Sequence, residues 1–171
     1  MFIRSLVLLL FTSLTFAASA LEVGDNAPDF SLAASDGKTY RLADFKGKQA
    51  FVIAWFPRAY TSGCTIECKS LAENGELIRA FDVTYFMASV DPLADNIGFA
   101  KQQKADFPLL SDPEKEVAKA YGVLSAGGYA KRHTIYVDKQ GVVSKIDRSV
   151  KPASSAQDMA ATLAVLGVAA R

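Results

Sequence analysis

Two cysteines are the residues of this chain best suited to chemistry. Cys64 and Cys68 are the only cysteines among 171 residues. They follow an apolar run that ends at Phe56, in a segment that is predicted to turn from a loop into a helix. A thiol in the first turn of a helix lies beside unpaired backbone N–H groups and the positive end of the helix dipole, and both stabilise a thiolate. The sequence therefore predicts a nucleophilic thiolate at Cys64.

The segment before Cys64 contains three residues that suit a site for a small polar substrate. Thr61 offers a hydroxyl group that can hydrogen-bond either the thiolate or an incoming oxygen atom. Gly63 lets a substrate approach the backbone closely. Pro57 restricts the loop and removes a competing N–H group. These residues surround the Cys64 thiolate with the groups that it needs to attack a small polar molecule.

Composition limits the classes of partner. Half of the residues are hydrophobic and the formal net charge is +1. A chain of this length and composition is typical of one globular domain with a sizeable core. Binding to nucleic acid is not expected, because there is no excess of basic residues to neutralise phosphates.

Residues 1–20 have the pattern of a secretory signal peptide. Arg4 is their only charge, Leu6 to Phe16 are almost wholly apolar, and Ala18-Ser19-Ala20 forms a small-x-small cleavage pattern. The apolar run is short for a membrane span, although an uncleaved anchor is the alternative. We expect a single mature domain over residues 21–171 in the periplasm. That compartment is oxidising, so the two cysteines could also pair for structural reasons alone.

Apolar runs and turn signals predict the elements that position the cysteines. Ala50–Phe56 is expected to be a strand buried on both faces, followed by a helix from Thr61 to about Ala80 and a second buried strand at Val83–Val90. The other predicted elements are strands at Phe30–Ala33 and Lys38–Leu42, a helix at Leu93–Lys104, an extended piece at Asp106–Leu110, a helix starting at Ser111–Glu114 and ending at Tyr121, strands at Arg132–Val137 and Val142–Ile146, and a helix at Ser155–Leu166.

The order of these elements predicts an α/β fold. A parallel strand–helix–strand unit near the front and an antiparallel hairpin near the end give a mixed central sheet flanked by helices. A β-hairpin precedes this unit as an N-terminal extension. The arrangement is thioredoxin-like, and it places Cys64 at the carboxyl end of a buried strand, where ligand sites of open α/β sheets are found.

The segment around Cys64 resembles the peroxiredoxins. Pro57-x-x-x-Thr61-x-x-Cys64 is similar to their active-site motif, and the longer run Phe-Pro-x-x-x-Thr-x-Gly-Cys-Thr-x-Glu is most similar to the bacterioferritin comigratory (peroxiredoxin Q) subfamily. Gly24–Phe30 resembles the amino-terminal signature of that family, and Lys131–Asp138 resembles the strand that carries its arginine. The resemblance extends over about residues 23–166.

The resemblance implies a thiol-dependent peroxidase that needs no cofactor or metal. Cys64 would attack hydrogen peroxide or an organic hydroperoxide and become a sulfenic acid. Arg132 would place its guanidinium near the sulfur, and Thr61 would hydrogen-bond the peroxide oxygens. A thioredoxin-like thiol donor of the cell envelope would regenerate the enzyme. Because there is no long carboxyl-terminal extension, we expect a monomer or weak dimer.

The position of Cys68 departs from the subfamily, whose resolving cysteine often lies five residues after the first. At a spacing of four, two helical side chains share a face with Cβ atoms about 5–6 Å apart, whereas a disulfide needs about 3.5–4.5 Å. We therefore expect Cys68 to resolve Cys64 as an intramolecular disulfide only when the first helical turn unwinds. The alternative is that Cys68 is a small core residue and a partner thiol resolves Cys64.

A copper-binding protein is the rival interpretation. The two thiols together with His133 resemble the ligands of Sco-type copper chaperones, since soft sulfur and imidazole suit copper. The prolines that usually follow the cysteines of those proteins are absent here. Strand alternation also places His133 and Arg132 on opposite faces of their strand. A thioredoxin-like reductase lacks support, because the cysteines do not have Cys-x-x-Cys spacing.

Overall fold

The computed structural model describes residues 20–171, which form one mixed seven-stranded sheet with helices on its faces. The strands are β1 (Ser31–Ala34), β2 (Thr39–Arg41), β3 (Ala50–Trp55), β4 (Val83–Ser89), β5 (Leu109–Ser111), β6 (His133–Val137) and β7 (Val143–Asp147). The helices are α1 (Leu42–Phe45), α2 (Ser62–Glu73), α3 (Gly75–Arg79), α4 (Leu93–Gln103), α5 (Glu116–Ala120) and α6 (Ser155–Val165), and a 3₁₀ turn (Pro152–Ser154) precedes α6.

The sheet order is β2-β1-β5-β4-β3-β6-β7. Strands β3, β4 and β5 are parallel, whereas β6 runs antiparallel to β3 and β7 antiparallel to β6. At the other edge, β1 and β2 form a hairpin. Its turn contains Gly37 at φ 81°, a conformation that glycine adopts without strain. The predicted thioredoxin-like fold with an amino-terminal hairpin is confirmed.

Strand β3 lies between two hydrophobic cores, one on each face of the sheet. Phe51, Ile53 and Trp55 belong to one core, together with the aromatic residues of the amino-terminal hairpin region. The alternate positions Val52 and Ala54 belong to the other core, which also contains both cysteines. Because successive side chains of a strand point to opposite faces, a strand covered on both sides is apolar throughout. The continuous apolar run is explained by this position.

The helix predicted from Thr61 to Ala80 is instead two helices, with the break between α2 and α3 at Asn74. A Cβ atom on Gly75 would lie 2.5 Å from the Tyr85 hydroxyl, so only glycine allows this close approach to β4. The Asn74 side chain donates a hydrogen bond to the Ser70 carbonyl at the end of α2. Tertiary packing against β4 therefore determines where α2 ends.

The predicted signal peptide lies outside the described residues, apart from Ala20. Leu21, the first residue of the predicted mature chain, is buried, and its carbonyl accepts a hydrogen bond from Arg148. Within residues 20–171, no helix has both the length and the apolar character that a membrane span requires.

Candidate active site

The site is built where β3 ends and α2 begins. A loop of residues 57–61 connects them, and Thr61 is the N-cap residue whose carbonyl accepts the first helical hydrogen bond, from the N–H of Thr65 at 2.9 Å. Cys64 therefore lies in the first turn of α2, and it is fully buried. The backbone N–H groups of this turn have no helical partner and favour an anion at the sulfur.

Arg132 contacts the sulfur of Cys64 from the neighbouring strand. It was predicted as the first residue of a strand and lies immediately before β6, which pairs with β3. Its Nη2 atom donates to Cys64 Sγ at 3.2 Å. A Cβ atom on Gly63 would lie 3.2 Å from the same Nη2 atom, so glycine leaves room for the guanidinium. The structure thus brings together two site residues that are separated by 68 positions in the sequence.

Glu67 holds the other end of the guanidinium, a role that was not among the predictions from the sequence. Its Oε2 atom accepts a hydrogen bond from Arg132 Nη1, and its side chain is fully buried. Burial raises the pKa of Glu67 to about 7, although the charge of Arg132 and the hydroxyl of Ser155 favour the carboxylate. A carboxylate three residues after Cys64, on a buried helix face, was the available signal for this role.

Thr61 and Pro57 lie in the loop where they were predicted. Thr61 is exposed, and its hydroxyl donates to the carbonyl of Arg58 at 3.0 Å rather than to the sulfur. The hydroxyl thus belongs to the hydrogen bonding of the loop, at the residue where α2 starts. Pro57 is half-buried at the beginning of the same loop.

Cys68 lies one turn after Cys64 on the intact helix, and both thiols are free and fully buried. Burial raises the pKa of Cys68 to about 12, and the nearby charges of Glu67 and Cys64 act in the same direction. The Cys68 thiol is therefore protonated while α2 is folded. A protonated thiol is a poor nucleophile, so Cys68 is inert in this conformation.

His133 does not join the cysteines. It lines a separate cavity with Tyr121, Ile146 and Arg148, whereas the cysteines belong to the core on the opposite face of the sheet. Burial lowers the pKa of His133, and the charges of Lys131 and Arg148 lower it further. Across the part of the chain that is described, no three histidine, cysteine or acidic side chains lie together in a way that could hold a metal ion. The copper interpretation therefore lacks its ligand set.

Comparison with known proteins identifies the family of the chain. A sequence profile of the AhpC/TSA family matches residues 23–146. The chain belongs to that family. Among its peroxiredoxins, the chain is 35% identical to peroxiredoxin Bcp of Escherichia coli K12 over 103 residues, covering 60% of this chain and 65% of that protein. It is 31% identical to peroxiredoxin Bcp of Bacillus subtilis, covering 77% of this chain and 87% of that protein.

Solved structures of peroxiredoxins have the same fold. Peroxidoxin BcpB of Mycobacterium tuberculosis superposes with a TM-score of 0.76 at 27% identity, over 85% of this chain and 97% of that chain. Peroxiredoxin Q of Xanthomonas campestris superposes with a TM-score of 0.75 at 24% identity, over 87% and 98% of the two chains. The predicted membership in the Bcp and peroxiredoxin Q group of the peroxiredoxins is confirmed.

Proposed function

We propose that this peroxiredoxin is a thiol peroxidase whose nucleophile is Cys64. The observation that carries the proposal is the 3.2 Å contact between Arg132 Nη2 and Cys64 Sγ at the start of α2. A guanidinium at this distance stabilises a thiolate through a charge-assisted hydrogen bond. It also provides a second set of N–H donors for the oxygen atoms of a bound hydroperoxide.

The first step oxidises the sulfur and reduces the peroxide. The Cys64 thiolate attacks one peroxide oxygen, so that an S–O bond forms while the O–O bond breaks. The leaving oxygen departs as an alkoxide or hydroxide and takes up a proton to give an alcohol or water. In this proposal the Arg132 guanidinium and the first-turn N–H groups stabilise the charge that develops on these oxygens. The Thr61 hydroxyl contributes when it turns from the Arg58 carbonyl to the peroxide.

The second step forms a disulfide with Cys68. The Cys68 sulfur attacks the Cys64 sulfenic acid, an S–S bond forms, and the hydroxyl group leaves as water with the thiol proton. Both cysteines lie on α2 one turn apart, and their Cβ separation on an intact helix is about 1–2 Å larger than a disulfide allows. The step therefore includes opening of the first turn of α2. A thioredoxin-like dithiol then reduces the disulfide and becomes oxidised itself.

The decisive experiment compares peroxide consumption by the wild type, Cys64→Ser and Cys68→Ser. Each is supplied with a dithiol donor and either hydrogen peroxide or an alkyl hydroperoxide. We expect Cys64→Ser to be inactive, and Cys68→Ser to be oxidised once but to turn over slowly. Failure of the wild type to consume either peroxide would refute the proposed activity. Full turnover by Cys68→Ser with the same donor would show instead that an external thiol resolves Cys64.

The proposal includes a periplasmic location and an envelope thiol donor. It rests on the signal-peptide pattern of residues 1–20. Mass spectrometry of the protein from fractionated cells should find a chain that starts at Leu21 in the periplasm. An intact amino terminus in the cytoplasmic fraction would contradict this location. In a panel of donors, faster reduction by cytosolic thioredoxin than by every envelope donor would contradict the proposed partner.

We also propose a monomer or weak dimer in solution. Light scattering over a range of protein concentrations measures the molar mass directly. A stable mass of five or more subunits at low micromolar concentration would overturn this part of the proposal.

A further inference from the structure

A carboxylate outside the peroxiredoxin motif holds the loop of residues 57–61. Asp91 lies just beyond the end of β4, the strand next to β3, and its Oδ2 atom accepts a hydrogen bond from the backbone N–H of Ala59 at 2.8 Å. Ala59 is buried in the middle of this loop. We propose that Asp91 is a positioning residue that sets the loop, and through it Thr61 and the first turn of α2, against the Cys64 sulfur. This inference rests on the proposed peroxidase function.

The backbone of Asp91 is itself fixed by a network of hydrogen bonds that extends into the buried core. Its N–H donates to Ser89 Oγ at 3.2 Å, and its carbonyl accepts from Ser111 Oγ at 2.6 Å. Asn96, which is fully buried, lies 3.1 Å from Ser89 Oγ and donates to the carbonyl of Leu110 at 3.0 Å. Because each member of such a network orients the next, the backbone of Asp91 is held in a defined place, from which its carboxylate reaches the loop.

Tyr60, the next residue of the loop, has a backbone conformation that needs support from neighbouring elements. Tyr60 has φ 66°, in the left-handed region that bulky residues rarely adopt. Its ring packs edge-on against Phe99 with centroids 5.3 Å apart, and its hydroxyl donates to the Asp95 carbonyl at 3.2 Å. Gly98 leaves the space for that hydroxyl, because a Cβ atom there would lie 2.4 Å from it. Helix α4 and Asp91 thus hold two consecutive residues of the loop.

The Asp91 hydrogen bond can affect the reaction because the residue after Tyr60 is Thr61. Thr61 both carries the hydroxyl proposed to contact the peroxide and starts α2 through its carbonyl. Without the Asp91 hydrogen bond, relaxation of Tyr60 toward an ordinary conformation would displace Thr61 relative to Cys64. A displacement of about 1 Å in a positioned group can cost about a hundredfold in rate.

The test uses Asp91→Ala, Asp91→Asn and a matched control. We expect Asp91→Ala to lower the second-order rate of Cys64 oxidation by about ten- to a hundredfold. Asp91→Asn retains a carbonyl acceptor for the Ala59 N–H and should stay within about threefold of the wild type. In Asp91→Ala the KM for the dithiol donor should not change, and hydrogen exchange at the Ala59 amide should be faster.

Asp138→Ala is the control because Asp138 also accepts backbone hydrogen bonds, from Gln140 and Val142 at 2.9 Å, but lies at the far end of β6. It should lower the Tm and leave the oxidation rate within about twofold of the wild type. An equal loss of rate in Asp138→Ala and Asp91→Ala would overturn the proposal, as would unchanged oxidation in Asp91→Ala. If Asp91→Ala fails to fold by circular dichroism, Asp91→Glu, which displaces the carboxylate but keeps its charge, is expected to slow oxidation in its place.

The two proposals can fail separately. If the wild type does not oxidise at all with peroxide, the proposed function is wrong. The positioning role is then decided by the Ala59 exchange rate and by the rate at which iodoacetamide alkylates Cys64 in Asp91→Ala. Unchanged values of both would refute it.

Discussion

Arg132 is shared between a sulfur atom and a carboxylate. One guanidinium nitrogen meets Cys64 and the other meets Glu67, so the planar group is held in one orientation by two partners. A lysine would not hold the two partners through separate nitrogens in one plane, because its donors all lie on a single ammonium nitrogen. Glu67 therefore acts on the sulfur through Arg132. Its own ionisation has a consequence for stability that can be measured.

The substitution Glu67→Gln should remove part of the pH dependence of the free energy of unfolding. The pKa of Glu67 is raised from 4.5 to about 7 in the folded protein. Below pH 4.5 the carboxyl group is protonated in both states. As the pH rises from 4.5 to 7, the unfolded state ionises first, so the free energy of unfolding falls by about 3 kcal/mol and then levels off. Urea unfolding of the reduced wild type and Glu67→Gln between pH 4.5 and 8 measures the difference.

Glu73→Gln is the control for this experiment, because Glu73 lies on the same helix but is exposed and pairs with the exposed Lys69 at 3.6 Å. Its profile should follow that of the wild type, since exposed ion pairs contribute little. Parallel profiles for the wild type and Glu67→Gln would show that Glu67 does not bind a proton on folding in this pH range.

The residues of the site differ in how far the sequence reveals them. Cys64 and Thr61 are readable from a local motif, and Arg132 from the resemblance of its strand. Glu67 and Asp91 make contacts with residues that are distant in the sequence. Glu67 contacts Arg132 at a separation of 65 residues, and Asp91 contacts Ala59 at a separation of 32. The position of Glu67 three residues after Cys64 is a local signal, but the contacts themselves depend on how β4 and β6 are placed on either side of β3.

At the scale of elements, the proposed mechanism places two conflicting requirements on α2. It must be folded to hold Cys64 in its first turn, and it must open for Cys68 to reach Cys64. Single strands such as β3 and β4 were predictable from continuous apolar runs, because burial on both faces leaves that pattern. The end of α2 was not, because the break at Asn74 depends on the approach of Gly75 to Tyr85. The stability of α2 is thus set both by its own residues and by its neighbours.

Lys69→Gly should accelerate disulfide formation relative to Lys69→Ala. Lys69 is exposed on α2, and both substitutions remove its ion pair with Glu73. They differ mainly in helix propensity, where glycine is about 1 kcal/mol less favourable than alanine. If the opening of α2 extends to Lys69 and limits the step, the disulfide should form about fivefold faster in Lys69→Gly. Rapid-quench mass spectrometry after one equivalent of peroxide measures this rate.

The oxidation of Cys64 itself should be nearly equal in the two variants, because it takes place while α2 is folded. Equal rates of disulfide formation would contradict a rate-limiting opening that extends to Lys69. A slower rate in Lys69→Gly would mean that the folded helix is the conformation that reacts.

For the whole molecule, we expect the redox state to change the surface area that the native protein buries. The reduced protein buries Cys64, Cys68 and Leu71 of α2 completely, in the core shared with α6. In the proposed mechanism, opening α2 to form the disulfide would expose part of that core to water. The cross-link closes only a very small loop and therefore adds little stability in return. The oxidised protein should be the less stable form.

Urea unfolding of the two forms tests this expectation, because the slope m scales with the surface exposed on unfolding. The disulfide form should have both a lower midpoint and a lower m than the reduced form, since part of its native core is already exposed. Re-reduction with dithiothreitol should restore both values, which separates the reversible disulfide from irreversible oxidation. A disulfide form with the same m as the reduced protein would mean that α2 refolds around the bond, and the conflict between its two requirements would then not exist.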